Sequence, residues 1–439
     1  MSAMGQTPPR WTVATAGTLL QLCLGSVYAW SFFQSILIRD YHWSNTATAW
    51  AFSLEILALG VSAAWAGFNL ARIGPQRLAL TGAVLFCLSF ALGGLALRAQ
   101  NVPLFYLGFS VLGGIGIGFG YVTPVATVAK WFPDRKGLVT GVVVMGFGLG
   151  AFVMSKLLAP LLIASANGNL VTAFESIAVV FAVIAIPSAL VLRDPPPGYA
   201  PGQVQPLTAA VAAVPPPPAP DPIGGYLRSR EFRFMWIAFF FNIGAGISVI
   251  SFQSSLLEEI WANYDATIDP VTLAGYGATL IAVSSLFNGF GRLLWVLVAD
   301  RIGRAECFRL LLASQMVVFG LLLTVHNPWI FGALVCYVLL CFGGGFGVMP
   351  AFVLEVFGAQ RMPLMYGSML TAWAAAGIAG PLLMASWRDH FPDRAVIDGF
   401  LTGVVFLGSG FICSFLLSND RCRPGPTPLD DLGGGVDSI

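Results

Sequence analysis

Twelve stretches of this chain are each apolar over about 20 residues or more, the length a helix needs to cross the hydrocarbon core of a bilayer. They fall at 11–37, 46–71, 77–98, 103–130, 136–164 and 170–192, then at 233–257, 271–299, 305–326, 328–357, 363–387 and 396–417. Such runs need an apolar solvent. Only 10% of the 439 residues are charged, against about 25% in a soluble domain, and 57% are hydrophobic. So few charges cannot coat a water-facing surface of this size. Fifty glycines fit the same picture, because membrane helices pack by close backbone approach rather than by a hydrophobic drive.

Other classes of protein are disfavoured by what the chain carries. A formal net charge of +1 leaves no basic stripe for a nucleic acid. Cys23, Cys87, Cys307, Cys336, Cys341, Cys413 and Cys422 form no CxxC pair, and His42, His326 and His390 lie at the ends of apolar runs. Neither set reads as a metal site or a disulfide framework, and no cofactor is expected. No nucleophile–base set suggests an enzyme, and no appended signalling domain suggests a sensor. The first run, of about 25 residues, is too long for a signal-peptide core of about 7–15, so it reads as a retained first helix.

The runs divide into two sets of six. Residues 1–192 form one expected bundle and 231–420 the other. Between them, 193–230 includes Pro195–Pro197, Pro215–Pro218 and Pro220, which reads as an extended linker. Residues 421–439 read as a disordered tail. Lys and Arg set the orientation. With both termini inside, the inner side holds sixteen of the 22 (Arg10, Arg72, Arg77, Lys130, Arg135, Lys136, Arg193, Arg228, Arg230, Arg233, Arg301, Arg304, Arg309, Arg361, Arg421, Arg423). The outer side holds five (Arg39, Arg98, Lys156, Arg388, Arg394), and an acidic outer loop is expected around Glu258, Glu259, Asp265 and Asp269. The expected location is a cell inner (plasma) membrane, crossed many times by a monomer with cytoplasmic N- and C-termini.

The two sets echo each other. Arg72-Ile-Gly74 follows the second run and Arg301-Ile-Gly303-Arg304 follows the eighth, where Asp300 precedes the arginine. This repeated loop resembles the Gly-x-x-x-Asp-Arg-x-Gly-Arg motif of the major facilitator superfamily. Ala71 stands at the aspartate position of the first copy and Val296 at the glycine position of the second. The resemblance implies an all-α membrane fold of 12 transmembrane helices in two six-helix bundles. It also implies that Arg72, Gly74, Asp300, Arg301, Gly303 and Arg304 serve a gate.

A narrower resemblance runs through Tyr121-Val-Thr-Pro-Val-Ala-Thr-Val-Ala-Lys130 and Trp131-Phe132-Pro133-Asp134-Arg135-Lys136-Gly137 into Gly141, Gly146, Gly148 and Gly150. Tyr28-Ala-Trp30, Phe287-Asn288-Gly289 with Arg292, and Tyr366-Gly367 extend it. Together they look like the oxalate/formate antiporter group and its bacterial monocarboxylate-transporter relatives. That group implies two cavity cations, an arginine matching Arg292 and a lysine whose position here is Trp373. One cation suits a monocarboxylate and two suit a dicarboxylate. The resemblance therefore points to lactate- or pyruvate-like acids, with an oxalate/formate-type exchanger or a carrier of another small solute as alternatives.

Arg292 is the sharpest single residue. It lies about 21 residues into a run of about 29, where an arginine costs roughly 2.5–3.5 kcal/mol to insert. A guanidinium there signals a water-filled cavity and a partner, and its planar fork matches a carboxylate. Ser284, Asn288 and Arg292 recur every four residues, so they make one polar stripe. Tyr28 and Tyr121 are the expected hydrogen-bonding neighbours. Phe342, Phe346 and Trp373 are expected aromatic walls, with Asn242 and Gln21 as weaker candidates. Glu55, about nine residues into the second run, is the candidate proton-coupling residue, since a bare carboxylate is costly in hydrocarbon. Lys156, Glu175 and Glu355 read as rim or gate charges. The glycine runs Gly113–Gly120 and Gly146–Gly150 follow no strand, so they read as helix packing rather than phosphate loops. Gly343–Gly345 with Pro350 marks the tenth run as a bendable element.

Overall fold

The computed structural model describes residues 8–196, 199, 223–358, 361–417 and 419. Most of the expected linker and the whole of the expected tail lie outside the described residues. Among the described residues every regular element is helical, and twelve helices are long and apolar enough to cross a membrane. They are α1 (Arg10–Tyr41), α2 (Asn45–Ile73), α3 (Pro75–Arg98), α4 (Val102–Trp131), α5 (Leu138–Ser165) and α6 (Leu170–Val191). After a short helix, Ile223–Leu227, come α7 (Arg230–Tyr264), α8 (Pro270–Ile302), α9 (Arg304–Leu322), α10 (Pro328–Phe357), α11 (Met362–His390) and α12 (Ala395–Ser414). The protein is thus a multi-pass membrane protein. Large apolar side chains such as Val183, Leu161 and Ile412 stand exposed on its outer surface, as lipid contact requires.

Short polar residues start half of these helices, Ser229 at α7 among them. Ser44, Asn101, Asn169, Asp269 and Asn327 each accept a backbone N–H from the first turn of the helix that follows. Asp269 and Asp265, in the α7–α8 turn, are held below the usual carboxylate range by hydrogen bonds from Thr272 and Thr267. The helices α3 and α9 start differently. Gly74 and Gly303, at the two copies of the repeated loop, have φ/ψ of 87°/151° and 93°/154°, a left-handed region open to glycine. The sequence echo is therefore also a backbone echo.

The halves repeat the same packing. In the first, α1 packs on α5, α2 on α4 and α3 on α6; in the second, α7 packs on α11, α8 on α10 and α9 on α12. The same offset relates the contacts between halves, α2 on α11 and α5 on α8. Small residues allow these crossings. A Cβ at Gly60 would lie 2.5 Å from that of Ala374, and one at Gly148 would lie 2.7 Å from the Cα of Gly289.

Some boundaries differ from expectation. The helix α7 continues to Tyr264, so Glu258 and Glu259, expected in a loop, lie in its last turns. There Glu258 accepts from Ser254 at 2.8 Å and Glu259 pairs with Arg388. The run Leu256-Leu-Glu-Glu-Ile-Trp261 is built mostly of good helix formers, and Asp265, in extended conformation, ends it. The helix α9 stops at Leu322, because Asn327 caps α10 and Pro328 takes its first position. The helix α10 runs unbroken through Gly343–Gly345 and Pro350. Irregular turns occur in other helices: a 3-10 segment Gly25–Ala29 in α1, π segments Tyr106–Val111 in α4 and Met154–Leu158 in α5, and a step at Leu370 in α11 between Met362–Met369 and Thr371–His390.

Candidate functional site

Arg292 occupies the plane where the two halves meet, and it is fully buried. Its Nη1 donates to the Val144 carbonyl at 3.1 Å and to the Tyr121 hydroxyl at 3.4 Å, both on the first half. Its Nε donates to Asn288 Oδ1, one turn back on α8, at 3.4 Å. Its Nη2 has no partner. The rings of Phe346 and Phe147 lie 5.0 and 5.5 Å from Cζ, close enough for a cation–π contribution. Among the described residues no carboxylate pairs with this cation. Its neighbours are neutral, and they leave one edge of the fork unused.

Local structure explains how a guanidinium reaches this place. Gly148, on α5, faces Arg292, and a Cβ there would lie 3.2 Å from Nε. Any larger residue would push the side chain off α5. Ser284, Asn288 and Arg292 share a buried face of α8 as their spacing predicts. Ser284 donates to Gln253 Oε1 on α7 at 2.8 Å. The residue that crosses to α5 is its neighbour Ser285, which donates to the Gly148 carbonyl at 2.7 Å and accepts from the Phe152 N–H at 3.0 Å.

An aromatic group surrounds the guanidinium. Tyr28, Tyr121, Phe342, Phe346 and Trp373 all belong to it, each no more than 2% exposed. The Trp373 ring lies 4.7 Å from Phe346, 5.5 Å from Tyr121 and 6.1 Å from Tyr28. Tyr28 meets Phe342 at 5.4 Å. Two of the irregular segments sit here, those of α1 and α11. Tyr28 lies in the 3-10 segment of α1, where a Cβ at Gly25 would meet the Phe147 carbonyl at 1.9 Å, and Trp373 follows the step in α11. Irregular backbone at mid-membrane depth is tolerated where protein or a cavity surrounds it.

On the face bearing the α6–α7 connection, hereafter the linker face, a cavity of about 240 Å³ separates the halves. Val125, Lys130, Thr140 and Val144 line it from one half, and Gly347, Pro350, Leu354 and Pro363 are among the residues lining it from the other. Val144, whose carbonyl accepts from Arg292, is also part of this wall, so the cavity reaches the residue next to the guanidinium, which does not itself line it. On the far face the halves are closed. Lys156 donates to Thr279 at 2.6 Å, and Asp389 on α11 accepts from Asn45 and Thr46 on α2.

The remaining candidates lie apart from this group. Glu55 is 2% exposed inside the first half. A Cβ at Gly113 would lie 2.9 Å from Ser89 Oγ and 3.4 Å from Glu55 Oε1, while the next residue, Ile56, faces Gly377 of α11. Gln21 donates to the Tyr121 carbonyl at 3.0 Å and so positions that helix. Asn242, with both amide atoms unpartnered, is seated against Gly345 of α10. At the linker face Arg304 donates to Asp300 at 2.5 Å and to Glu355 at 3.0 Å, tying α8, α9 and α10 together. Arg72 and Arg301 are exposed, and Gly74 and Gly303 make the two turns. Glu175 pairs with Arg98 at 2.9 Å on the far face.

Sequence reasoning missed four contributors. Phe147 and Val144 hold Arg292, Ser285 crosses the halves, and the Tyr366 hydroxyl donates to that of Tyr121 at 3.5 Å. Phe147 and Val144 sit in the glycine-rich run of α5, whose three-dimensional facing no spacing rule reveals. Tyr366 carried a signal, because its helix position was already conspicuous.

Comparison with known proteins agrees with this architecture. The family model of the Major Facilitator Superfamily matches residues 15–381. The oxalate:formate antiporter of Oxalobacter formigenes is 25% identical over 385 residues, covering 87% of this chain and 86% of that one. The apicoplast pyruvate carrier 1 of Toxoplasma gondii is 25% identical, covering 84% and 82%. The uncharacterized MFS-type transporter YhjX of Escherichia coli K12 is 26% identical, covering 84% and 86%. Among solved structures, a bacterial homologue of the human lysosomal transporter Spinster, inward-facing and occupied, superposes with a TM-score of 0.67. It is 16% identical and covers 96% of this chain and 100% of that one.

Proposed function

The chain belongs to the major facilitator superfamily, and on that premise we propose that it carries small monocarboxylates, lactate- and pyruvate-like, by proton-coupled alternating access. Arg292 carries the reading. It is a buried cation between the halves, one residue behind the cavity wall at Val144, with one nitrogen of its fork unpaired. A carboxylate entering the cavity replaces the weak contacts to Val144 and Tyr121 with a charge-assisted pair. The charge is then neutralised, and the two halves rock about the site to expose it on the other side. Tyr28, Tyr121, Asn288, Phe342, Phe346 and Trp373 complete the pocket. Glu55 is assigned the coupling proton, and Arg72, Gly74, Asp300, Arg301, Gly303 and Arg304 the gate on the linker face.

The excess of Lys and Arg on the linker face supports a cytoplasmic position for that face and for both termini. The cavity is then inward-open, in a monomer in the plasma membrane. The oxalate:formate antiporter among the relatives favours a second reading, anion exchange. Trp373 weighs against a dicarboxylate, because a second carboxylate beside Arg292 finds no second cation in the aromatic group.

Uptake of labelled lactate, pyruvate, formate and oxalate into proteoliposomes, with and without a pH gradient, separates these readings. Lactate and pyruvate are expected to accumulate with the gradient, and Arg292→Gln to abolish uptake while leaving insertion intact. Wild-type-like uptake by that variant would remove the site. Full gradient dependence in Glu55→Gln would remove the proton assignment.

A further inference from the structure

Of the described residues that line the linker-face cavity, Lys130 alone is charged, and apart from Thr140 the rest of the wall is apolar. Lys130 shares its stretch of α4 with Val125, Ala126, Ala129 and Pro133, which also line the cavity. The same helix runs inward to Tyr121, whose hydroxyl accepts from Arg292. Nine residues of α-helix separate Tyr121 from Lys130, about 14 Å along the axis. Two cations therefore bracket the cavity, one behind its inner wall and one at its mouth.

The outer cation already holds a carboxylate. Lys130 Nζ donates to Asp194 Oδ1 at 2.8 Å, and the two side chains are 46% and 45% exposed. Asp194 belongs to the non-helical chain that follows α6. Two other contacts keep that chain in place: the Trp131 indole Nε1 donates to the Arg193 carbonyl at 2.7 Å, and the Tyr199 ring lies 5.0 Å from that of Trp131. Asp194 is thus presented to Lys130 whether or not the ion pair is made. Exposed ion pairs are weak, and a tethered group competes at an effective concentration of roughly millimolar. An ammonium is a point charge on a flexible stem, so one carboxylate replaces another without a demand on geometry. We propose that Lys130 is a second anion site, at which a small carboxylate exchanges with Asp194 on its way between the linker face and Arg292. Asp194 is the resident counter-ion: its return to Lys130 frees the ligand to move on. The route rests on the reading of Arg292 as the inner carboxylate site, whereas the exchange at Lys130 does not need it.

The chain has three lysines, Lys130, Lys136 and Lys156. Reductive methylation with isotope-labelled formaldehyde, which keeps the charge, therefore gives an NMR spectrum simple enough to assign by Lys→Arg variants. The full chain in nanodiscs is titrated with pyruvate at constant ionic strength, as wild type, Asp194→Asn and Arg292→Gln. The Lys130 resonance moves saturably while those of Lys136 and Lys156 stay in place. Asp194→Asn lowers the midpoint about threefold, within the worth of an exposed ion pair, and Arg292→Gln keeps the response while losing uptake. A Lys130 resonance that stays still, or that moves only together with the other two, overturns the site, as does an unchanged midpoint in Asp194→Asn. Loss of the response in Arg292→Gln also overturns it, because Lys130 would then report the inner site rather than bind an anion itself. Wild-type uptake by Arg292→Gln with the Lys130 response intact instead removes the inner-site reading and leaves the exchange standing.

Discussion

The carboxylate of Asp389, near the end of α11, accepts a hydrogen bond from the backbone N–H of Thr46, in the first turn of α2, at 3.0 Å. The same carboxylate accepts from Asn45 Nδ2 at 3.0 Å and from the Thr46 hydroxyl. One half of the molecule thus caps a helix belonging to the other across the closed far face.

Loss of that cap is expected to favour opening of the far face. A capping carboxylate is worth about 1 kcal/mol, so Asp389→Ala shifts the balance of closed to open roughly fivefold. Double electron–electron resonance between spin labels at positions 40 and 393, on opposite halves, reads the shift as a larger long-distance population. An unchanged distance distribution would show that Asp389 does not hold the face shut.

Arg292 is expected to oppose stability while serving transport. A buried cation without an anionic partner carries an uncompensated desolvation cost, which an apolar side chain of similar length removes. Arg292→Met is therefore expected to melt at the same temperature as the wild type or higher, with uptake reduced at least tenfold, roughly the worth of one charge-assisted hydrogen bond. Saturating pyruvate should raise the melting temperature of the wild type and leave that of the variant unmoved. A variant that melts several degrees lower would mean that the guanidinium serves the fold.

The α5–α8 crossing is predicted to tolerate no side chain. Gly148→Ala places a methyl group 2.7 Å from Gly289 Cα, and an overpacked contact costs about 1–3 kcal/mol. Gly320→Ala, where nothing lies within 4 Å, serves as the control and is expected to be neutral or up to about 1 kcal/mol stabilising. Thermal unfolding in detergent compares the two, and equal melting temperatures would contradict the packing described.

Arg304 is expected to couple its two carboxylates. Asp300 and Glu355 are each about half exposed (51% and 47%), so each contact alone is worth little. They share one guanidinium that is itself largely buried. In a double-mutant cycle, Asp300→Asn and Glu355→Gln are expected to be non-additive by about 0.5–1 kcal/mol. Additive losses would mean that the two carboxylates act independently.

The membrane class, the twelve spans and the two-fold repeat were legible because they rest on local chemistry. A run such as 328–357 must be a buried or lipid-facing helix wherever it sits, and Arg72-Ile-Gly74 and Arg301-Ile-Gly303 demand the same turn. The isolated charge of Arg292 was legible for the same reason, since its insertion cost is paid by the residue itself. Its environment was not. Whether Arg292 meets a carboxylate, and that Val144, Phe147 and Tyr121 meet it instead, depends on how α4 and α5 cross α8, and no spacing along one helix encodes a crossing. Nor could spacing reveal that Glu55 faces α3 and α4 while Ile56 faces α11. Residue chemistry and its period along the chain decided which segments enter the membrane and which residue is out of place there; packing of separate helices through glycine contacts decided what surrounds it.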